Sequence, residues 1–215
     1  MAIEDHALIG DTQTAALVTR DASIDWLCLP RFDSPACFAA LLGDESHGHW
    51  SIRPATGARP AGRRYRDDTL VLETELEADS GVVRIVDCMP IRDRHPTVVR
   101  LVECTRGSVH MEMELVIRFD YGRTVPWVRG RNGSLEAIAG SNALFLHSPV
   151  ETYGRDLTTR AEFTVRAGET VPFWCGARRT RRLPIPSSRG ARSTRPSAGG
   201  GSGRGGAMST STATW

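Results

Sequence analysis

The sequence predicts an all-β fold, an antiparallel sandwich or barrel, on three observations. Apolar and polar residues alternate with a period of two over several segments, turn residues punctuate the chain at roughly 8–12-residue spacing, and no long amphipathic helical pattern occurs. The clearest alternation lies at 110–119, where Met111, Met113, Leu115, Ile117 and Phe119 share one face and Glu112, Glu114 and Arg118 the other. In 215 residues, 40% hydrophobic content is enough for a core, and 24% charged residues of both signs argue against disorder along most of the length.

Taken in order, residues 14–18 and 24–29 are apolar runs separated by the polar turn 19–23, which predicts a hairpin. After Pro30, the loop Arg31-Phe32-Asp33-Ser34-Pro35 leads into residues 36–42, whose small and apolar side chains predict one or two helical turns capped by Ser34 or Asp33 and closed by Gly43. Leu70, Leu72, Thr74 and Leu76 alternate with Glu73, Glu75 and Glu77, and Asp79-Ser80-Gly81 turns the chain into a strand at 82–89. Residues 98–104 form a further strand, which Arg106-Gly107-Ser108 is expected to turn into 110–119. Short strands follow at 124–129, 135–139, 143–147 and 157–165, and residues 161–173 read as a last hairpin about 166–169. No internal repeat is evident.

The net charge of +2 averages two unlike pieces: eight of the 27 basic residues and none of the 25 acidic ones lie after Phe173, so the preceding body is acidic by six charges. Residues 174–215 are Arg, Gly, Ser and Pro in low-complexity order, a composition expected to be disordered. Every basic residue is arginine, which suggests GC-rich coding DNA. The opening MAIEDHALIGD has neither a basic nor an apolar leader segment and no apolar run approaches membrane-spanning length, so a cytoplasmic location without membrane association is expected. Five scattered cysteines fit reduced thiols packed in the core.

Candidate sites are sparse. His47 and His49 with Cys28 and Cys37 lack the spacing of a metal centre, and neither metal nor cofactor is expected. The basic tail could neutralise phosphates, but without interleaved aromatics it predicts no specific nucleic-acid recognition. Glu73, Glu75, Glu77, Glu112 and Glu114 fall on polar strand faces, where a solvated surface is expected, and no nucleophile elbow, P-loop or dinucleotide fingerprint occurs. Arg31 and Asp33 flank Phe32 in a proline-bounded loop, a place where a scaffold holds polar groups at a fixed angle. The simplest reading of them is an internal pair tying that corner together. Trp127 and Tyr121 are candidate sugar-stacking aromatics, although Trp127 in an alternating strand is expected in the core.

Residues 3–43, IEDHALIGDTQTAALVTRDASIDWLCLPRFDSPACFAALLG, resemble the opening of bacterial glycoside hydrolase family 15 proteins, the glucoamylase- and trehalase-like enzymes. VVRIVDCMPIRD, VVRLVEC, ELVIRFDYGRTVPWVR and DLTTRAEFTVRAGETVPF continue the resemblance in order to Phe173. It implies a large antiparallel β-sandwich of the super-sandwich type over residues 1–173, an N-terminal domain that precedes an (α/α)6 barrel, whose two glutamates cleave an α-glucosidic bond with inversion. Neither catalytic motif is present, so no catalytic residue is assigned and the chain alone is expected to be inactive. Its implied partners are the missing barrel and, in the intact enzyme, trehalose or an α-glucan; Arg31 and Asp33 become a weak substrate-proximal loop. Cys88 stands where such proteins often carry an aromatic residue.

The same resemblance leads one to expect a proline-rich linker and a tryptophan-rich helix after Phe173. One choice of synonymous codons for residues 198–204, read one nucleotide earlier, encodes Trp-Trp-Arg-Glu-Trp. Residues 174–215 therefore read as a frameshifted linker, and the sandwich as truncated after Phe173. A free-standing carbohydrate-binding or interaction module is the alternative function.

Overall fold

Period-two burial builds this fold, as the sequence predicts. The computed structural model describes residues 3–92, 94–131 and 134–179. Among these are three single-turn 3-10 helices and fifteen strands. In chain order the strands are β1 (Ala7–Gly10), β2 (Ala15–Val18), β3 (Ser23–Cys28), β4 (Ala36–Phe38), β5 (His49–Pro54), β6 (Arg59–Tyr65), β7 (Leu72–Ala78), β8 (Gly81–Cys88), β9 (Thr97–Val116), β10 (Trp127–Arg131), β11 (Ser134–Ala139), β12 (Asn142–His147), β13 (Tyr153–Arg155), β14 (Thr158–Arg166) and β15 (Thr170–Arg179).

All strand pairings are antiparallel, and β9 belongs to both layers of the sandwich. Its first half, residues 97–107, pairs with β8 and β15 in a sheet ordered β6-β7-β8-β9-β15-β12-β11-β10. Its second half pairs with β5 and β14 in a sheet ordered β1-β2-β3-β5-β9-β14-β13, with β4 on β3. Met111, Met113 and Leu115 face inward from one sheet, Val98, Val102 and Phe173 from the other, all buried in a single core. The Phe163 and Phe173 rings meet across it at 5.5 Å and 48°, a tilted aromatic pair.

Arg106-Gly107-Ser108 is thus not a hairpin turn but the bend at which one 20-residue strand changes sheets. Gly107 has φ +79°, and a Cβ there would stand 2.1 Å from the Ser80 carbonyl oxygen. Its cross-strand neighbour is Gly81, so two backbones meet where no side chain fits. Residues 166–169 lie against this bend, with the Ala167 and Gly168 amides donating to the Gly107 and Cys104 carbonyls, both at 2.9 Å. The predicted last hairpin is accordingly a second sheet-changing corner: β14 and β15 each pair with β9, in different sheets, and not with one another.

The strand also does not end at Phe173. β15 runs to Arg179, with Trp174, Cys175 and Gly176 paired to Val99, Val98 and Thr97 on one side and with β12 on the other. The boundary drawn after Phe173 falls inside this interior strand. The His147 and Trp174 rings stack at 3.9 Å. The remainder of the predicted tail, residues 180–215, lies outside the described residues. Two smaller expectations also change. Residues 36–38 pair as β4, leaving only Ala40–Leu42 as a 3-10 turn, and its first residue is preceded by Ala39 with no side-chain cap. β10 starts at Trp127, while Thr124 bridges to Phe119.

One ion pair lies at the centre of the packing. Arg100, fully buried on β9, donates from Nε to Asp87 Oδ1 at 2.8 Å and from its terminal nitrogens to the Trp50 carbonyl at 2.6 Å and the Ala22 carbonyl at 2.5 Å. Its guanidinium also sits 5.1 Å from the Trp50 ring centroid. One side chain thereby ties β8 and β9 to β5 and the β2–β3 turn.

The polar face of β7 differs from the expected solvated surface. Glu73 is 4% exposed and accepts from Arg64 Nε and Arg66 Nε, both at 2.9 Å; Glu75 and Glu77 pair with Arg84 and Arg106. The hydrogen bonds from Arg66 and Arg64 hold the Glu73 carboxyl below its ordinary range. A lowered carboxylate contributes stability that is complete above its unfolded pKa and is lost as pH falls through the folded value. Urea unfolding from neutral to acid pH should therefore show the Glu73→Gln variant losing less stability than wild type on acidification, with the difference confined to the acid limb.

All five cysteines are free, and burial pushes the Cys175 thiol up to about 12 and Cys37 well above the usual thiol range. Iodoacetamide at neutral pH is expected to label both only after unfolding, as counted by intact-mass spectrometry.

Candidate functional site: the Arg31–Asp33 corner

The corner is held from below by residues that sequence reasoning did not single out. The β1–β2 connection is an Asx turn in which Asp11, 2% exposed, accepts from the Gln13 amide at 3.0 Å and the Thr14 amide at 2.9 Å. Arg92, from the segment after β8, donates through Nε to Asp11 Oδ2 at 2.8 Å and through a terminal nitrogen to Gln13 Oε1 at 3.3 Å. Thr14 Oγ1 donates to the Cys28 carbonyl, fixing the end of β3. The Phe32 amide then donates to the Gln13 carbonyl at 3.1 Å, so the corner rests directly on this turn. Asp11-x-x-Thr14 is a legible turn signature, but the 81-residue separation of Arg92 from Asp11 hides their pairing.

Above this base, Arg31 and Asp33 do meet, Nε to Oδ1 at 3.0 Å, and Ser34 closes the turn with both its amide and its hydroxyl on Arg31's backbone. Their side chains are 67% and 71% exposed, however, so the pair faces solvent and does not tie the corner to the body; Asp11, Gln13 and Arg92 do that. An exposed pair of this kind contributes about 0–1 kcal/mol. With the exposed Phe32 ring, Thr12 and Gln13, the pair lines an open cleft of about 370 Å³. A cation, a carboxylate, an amide and an aromatic ring around one opening can bind a polar, hydroxyl-rich surface; no group there is arranged as an acid–base couple.

The other candidates are dispersed. Trp127 is 61% exposed, not core, with Arg129 stacked 5.1 Å from its ring centroid. Tyr121 is partly exposed and packs 6.1 Å from Trp26. His47 Nδ1 sits 3.2 Å from Asp44, whereas His49 bridges the Glu45 carbonyl and Glu114. Glu114 also pairs with Arg160, and Glu162 accepts from Tyr153 Oη at 2.7 Å. The outer-face carboxylates Glu114 and Glu162 are thus members of a strand-spanning polar network. Among the described residues no helix is long and apolar enough to cross a membrane.

The fold is an antiparallel β-sandwich domain with an exposed polar loop at Arg31–Asp33. Its sequence matches the family model described as trehalase-like, N-terminal, over residues 1–188, and the chain belongs to that family. It is 31% identical over 160 residues to the trehalase of Mycobacterium tuberculosis, covering 65% of this chain and 23% of that protein. The trehalase of Mycolicibacterium smegmatis is 31% identical over 157 residues, covering 64% and 23%. Trehalase 1 of Sulfolobus acidocaldarius is 34% identical over 130 residues, covering 60% and 22%. The chain thus spans under a quarter of the length of these relatives.

Proposed function

We propose that this chain is the non-catalytic N-terminal domain of a trehalase- or glucoamylase-like family 15 glycoside hydrolase. The observation that carries this is the combination of a family match over residues 1–188 with coverage of only 23% of the trehalases it resembles. The intact enzyme would cleave an α-glucosidic bond with inversion in a separate (α/α)6 barrel, with trehalose or an α-glucan as substrate. In it, the Arg31–Asp33 corner would lie near the substrate, where its guanidinium, carboxylate and Phe32 ring match the hydroxyls and the apolar face of a sugar. The frameshifted linker read from the sequence at residue 174 would then begin only after β15, with the cytoplasm as the place of action. The purified chain should release no glucose from trehalose, maltose or dextrin above a buffer control. Turnover that disappears in Glu114→Gln or Asp33→Asn would overturn the proposal, and so would a gene with no barrel in any frame downstream.

The exposure of Trp127 and Tyr121 favours a second reading, a carbohydrate-binding or interaction module. Saturable quenching of tryptophan fluorescence by maltooligosaccharides, lost in Trp127→Ala, would favour it.

A further inference from the structure

The two ends of the sandwich differ in polarity. The turns at 55–58, 79–80, 106–108 and 166–169 meet at one end, with the Ala55 amide on the His110 carbonyl at 2.9 Å and the Ser108 amide on the Ser80 carbonyl at 3.1 Å. These turns carry no large apolar side chain. The other end gathers the connections 11–14, 29–35, 39–48, 89–96, 117–126 and 156–157. Arg92 reaches Asp11 at 2.8 Å, the Tyr121 amide donates to the Ala36 carbonyl at 3.2 Å, and Arg118 Nη1 donates to the Leu157 carbonyl at 3.2 Å.

At this second end, beside Phe32, the side chains of Leu42, Ile91, Tyr121, Val125, Trp127 and Leu157 are exposed. Ile91 is 90% exposed, Leu157 73% and Leu42 67%. Single apolar side chains are ordinary on a surface, but their collection at one end, opposite turns that have none, marks a face built to be covered. Arg31 is paired with Asp33, Arg92 with Asp11 and His47 with Asp44, so covering the face strands none of these charges.

The course of the chain indicates what covers it. β15 runs toward this end, where Gly176 pairs with Thr97 and the Ala177 amide donates to the Pro96 carbonyl at 3.3 Å, in the connection that carries Ile91. Because β15 lies between β9 and β12, whatever follows it starts from this end and not from a sheet edge. In the trehalases of Mycobacterium tuberculosis and Mycolicibacterium smegmatis the matched part is 23% of the protein, which leaves most of such a chain to be placed.

We propose that this end is the seat of the catalytic part of the intact enzyme, whose own apolar surface packs over Leu42, Ile91, Tyr121 and Val125. The proposal rests on the family 15 reading given above and adds to it the face that the catalytic part occupies. The same seating sets the Arg31–Asp33 corner against that part, and it accounts for the exposed Tyr121 and Trp127 rings without a separate ligand.

Hydroxyl-radical footprinting read by mass spectrometry compares the 215-residue chain with the intact protein, expressed from its gene in the frame that encodes the barrel. Oxidation of Leu42, Ile91 and Tyr121 should fall about tenfold in the intact protein, as for side chains in the desolvated centre of an interface. Ile3, 61% exposed on the side of β1 away from this end, should react equally in both. The double variant Leu42→Asp/Ile91→Asp should unfold in urea like wild type as the 215-residue chain, and in the intact protein it should restore the oxidation of Tyr121. An intact protein that releases glucose from trehalose or maltose while Leu42 and Ile91 stay as reactive as in the short chain overturns the seat and leaves the family reading standing. Tyr121 still protected in the intact double variant, or Leu42 and Ile91 already unreactive in the 215-residue chain, overturns the seat as well. A gene with no barrel in any frame overturns both.

Discussion

Replacing Arg100 with Met is expected to lower the unfolding free energy by about 3–5 kcal/mol, because it leaves the Asp87 carboxylate buried without its cation. Asp87 and Arg100 are both 0% exposed, so water cannot take over the lost contacts. The Trp50 and Ala22 carbonyls lose donors at the same time. That second loss separates this site from an ordinary buried pair. The double variant Arg100→Met/Asp87→Leu removes the stranded charge and should recover part of the loss, but the two carbonyls still lack the guanidinium donors, at roughly 1–3 kcal/mol each. Urea unfolding of wild type, both single variants and the double variant measures this. Full recovery in the double variant would show that the carbonyl contacts contribute nothing.

Gly107→Ala should cost at least ~2 kcal/mol, since a β-carbon is placed in left-handed backbone and against the Ser80 carbonyl oxygen, in the turn that leads into β8. The contact would be 2.1 Å, and the obstacle is main chain, not the yielding end of a side chain. Relief requires β8 to part from β9 at Gly81, where the Ser108 amide also donates to the Ser80 carbonyl. A useful control is Gly140→Ala, which also has positive φ but meets nothing within 4 Å; it should show the conformational cost without the clash. If the two variants unfold at the same urea concentration, the close approach at the bend is not what Gly107 is there to permit.

The sheet-forming segments were legible in the sequence because a strand with one buried face records it in every second residue. Met111 to Phe119 and Leu72 to Leu76 are the clearest cases. What was not legible is which strand a segment pairs with. Arg-Gly-Ser at 106–108 has turn composition, and only Gly81, more than twenty residues away, reveals that the chain bends and continues. The 166–169 turn looks like a hairpin for the same local reason. Glu73 sits where alternation says solvent, yet Arg64 of the adjoining strand and Arg66 just beyond its end cover it. Trp127 has the alternation of a core residue but belongs to the last strand of its sheet, where little lies beyond it. At the candidate site, the Arg31–Asp33 contact followed from proximity in sequence. Its support by Asp11 and Arg92 depended on long-range closure.

β15 sits between β9 and β12, so the last described strand in the chain is an interior strand of its sheet. During vectorial synthesis β10, β11 and β12 have nothing to join them to β9 until residues 170–179 leave the ribosome. Three of the eight strands of that layer must wait, with their apolar side uncovered, for residues 170–179. Chaperone dependence and susceptibility to proteolysis should therefore be greatest in nascent chains that stop short of β15, and should fall once that strand inserts.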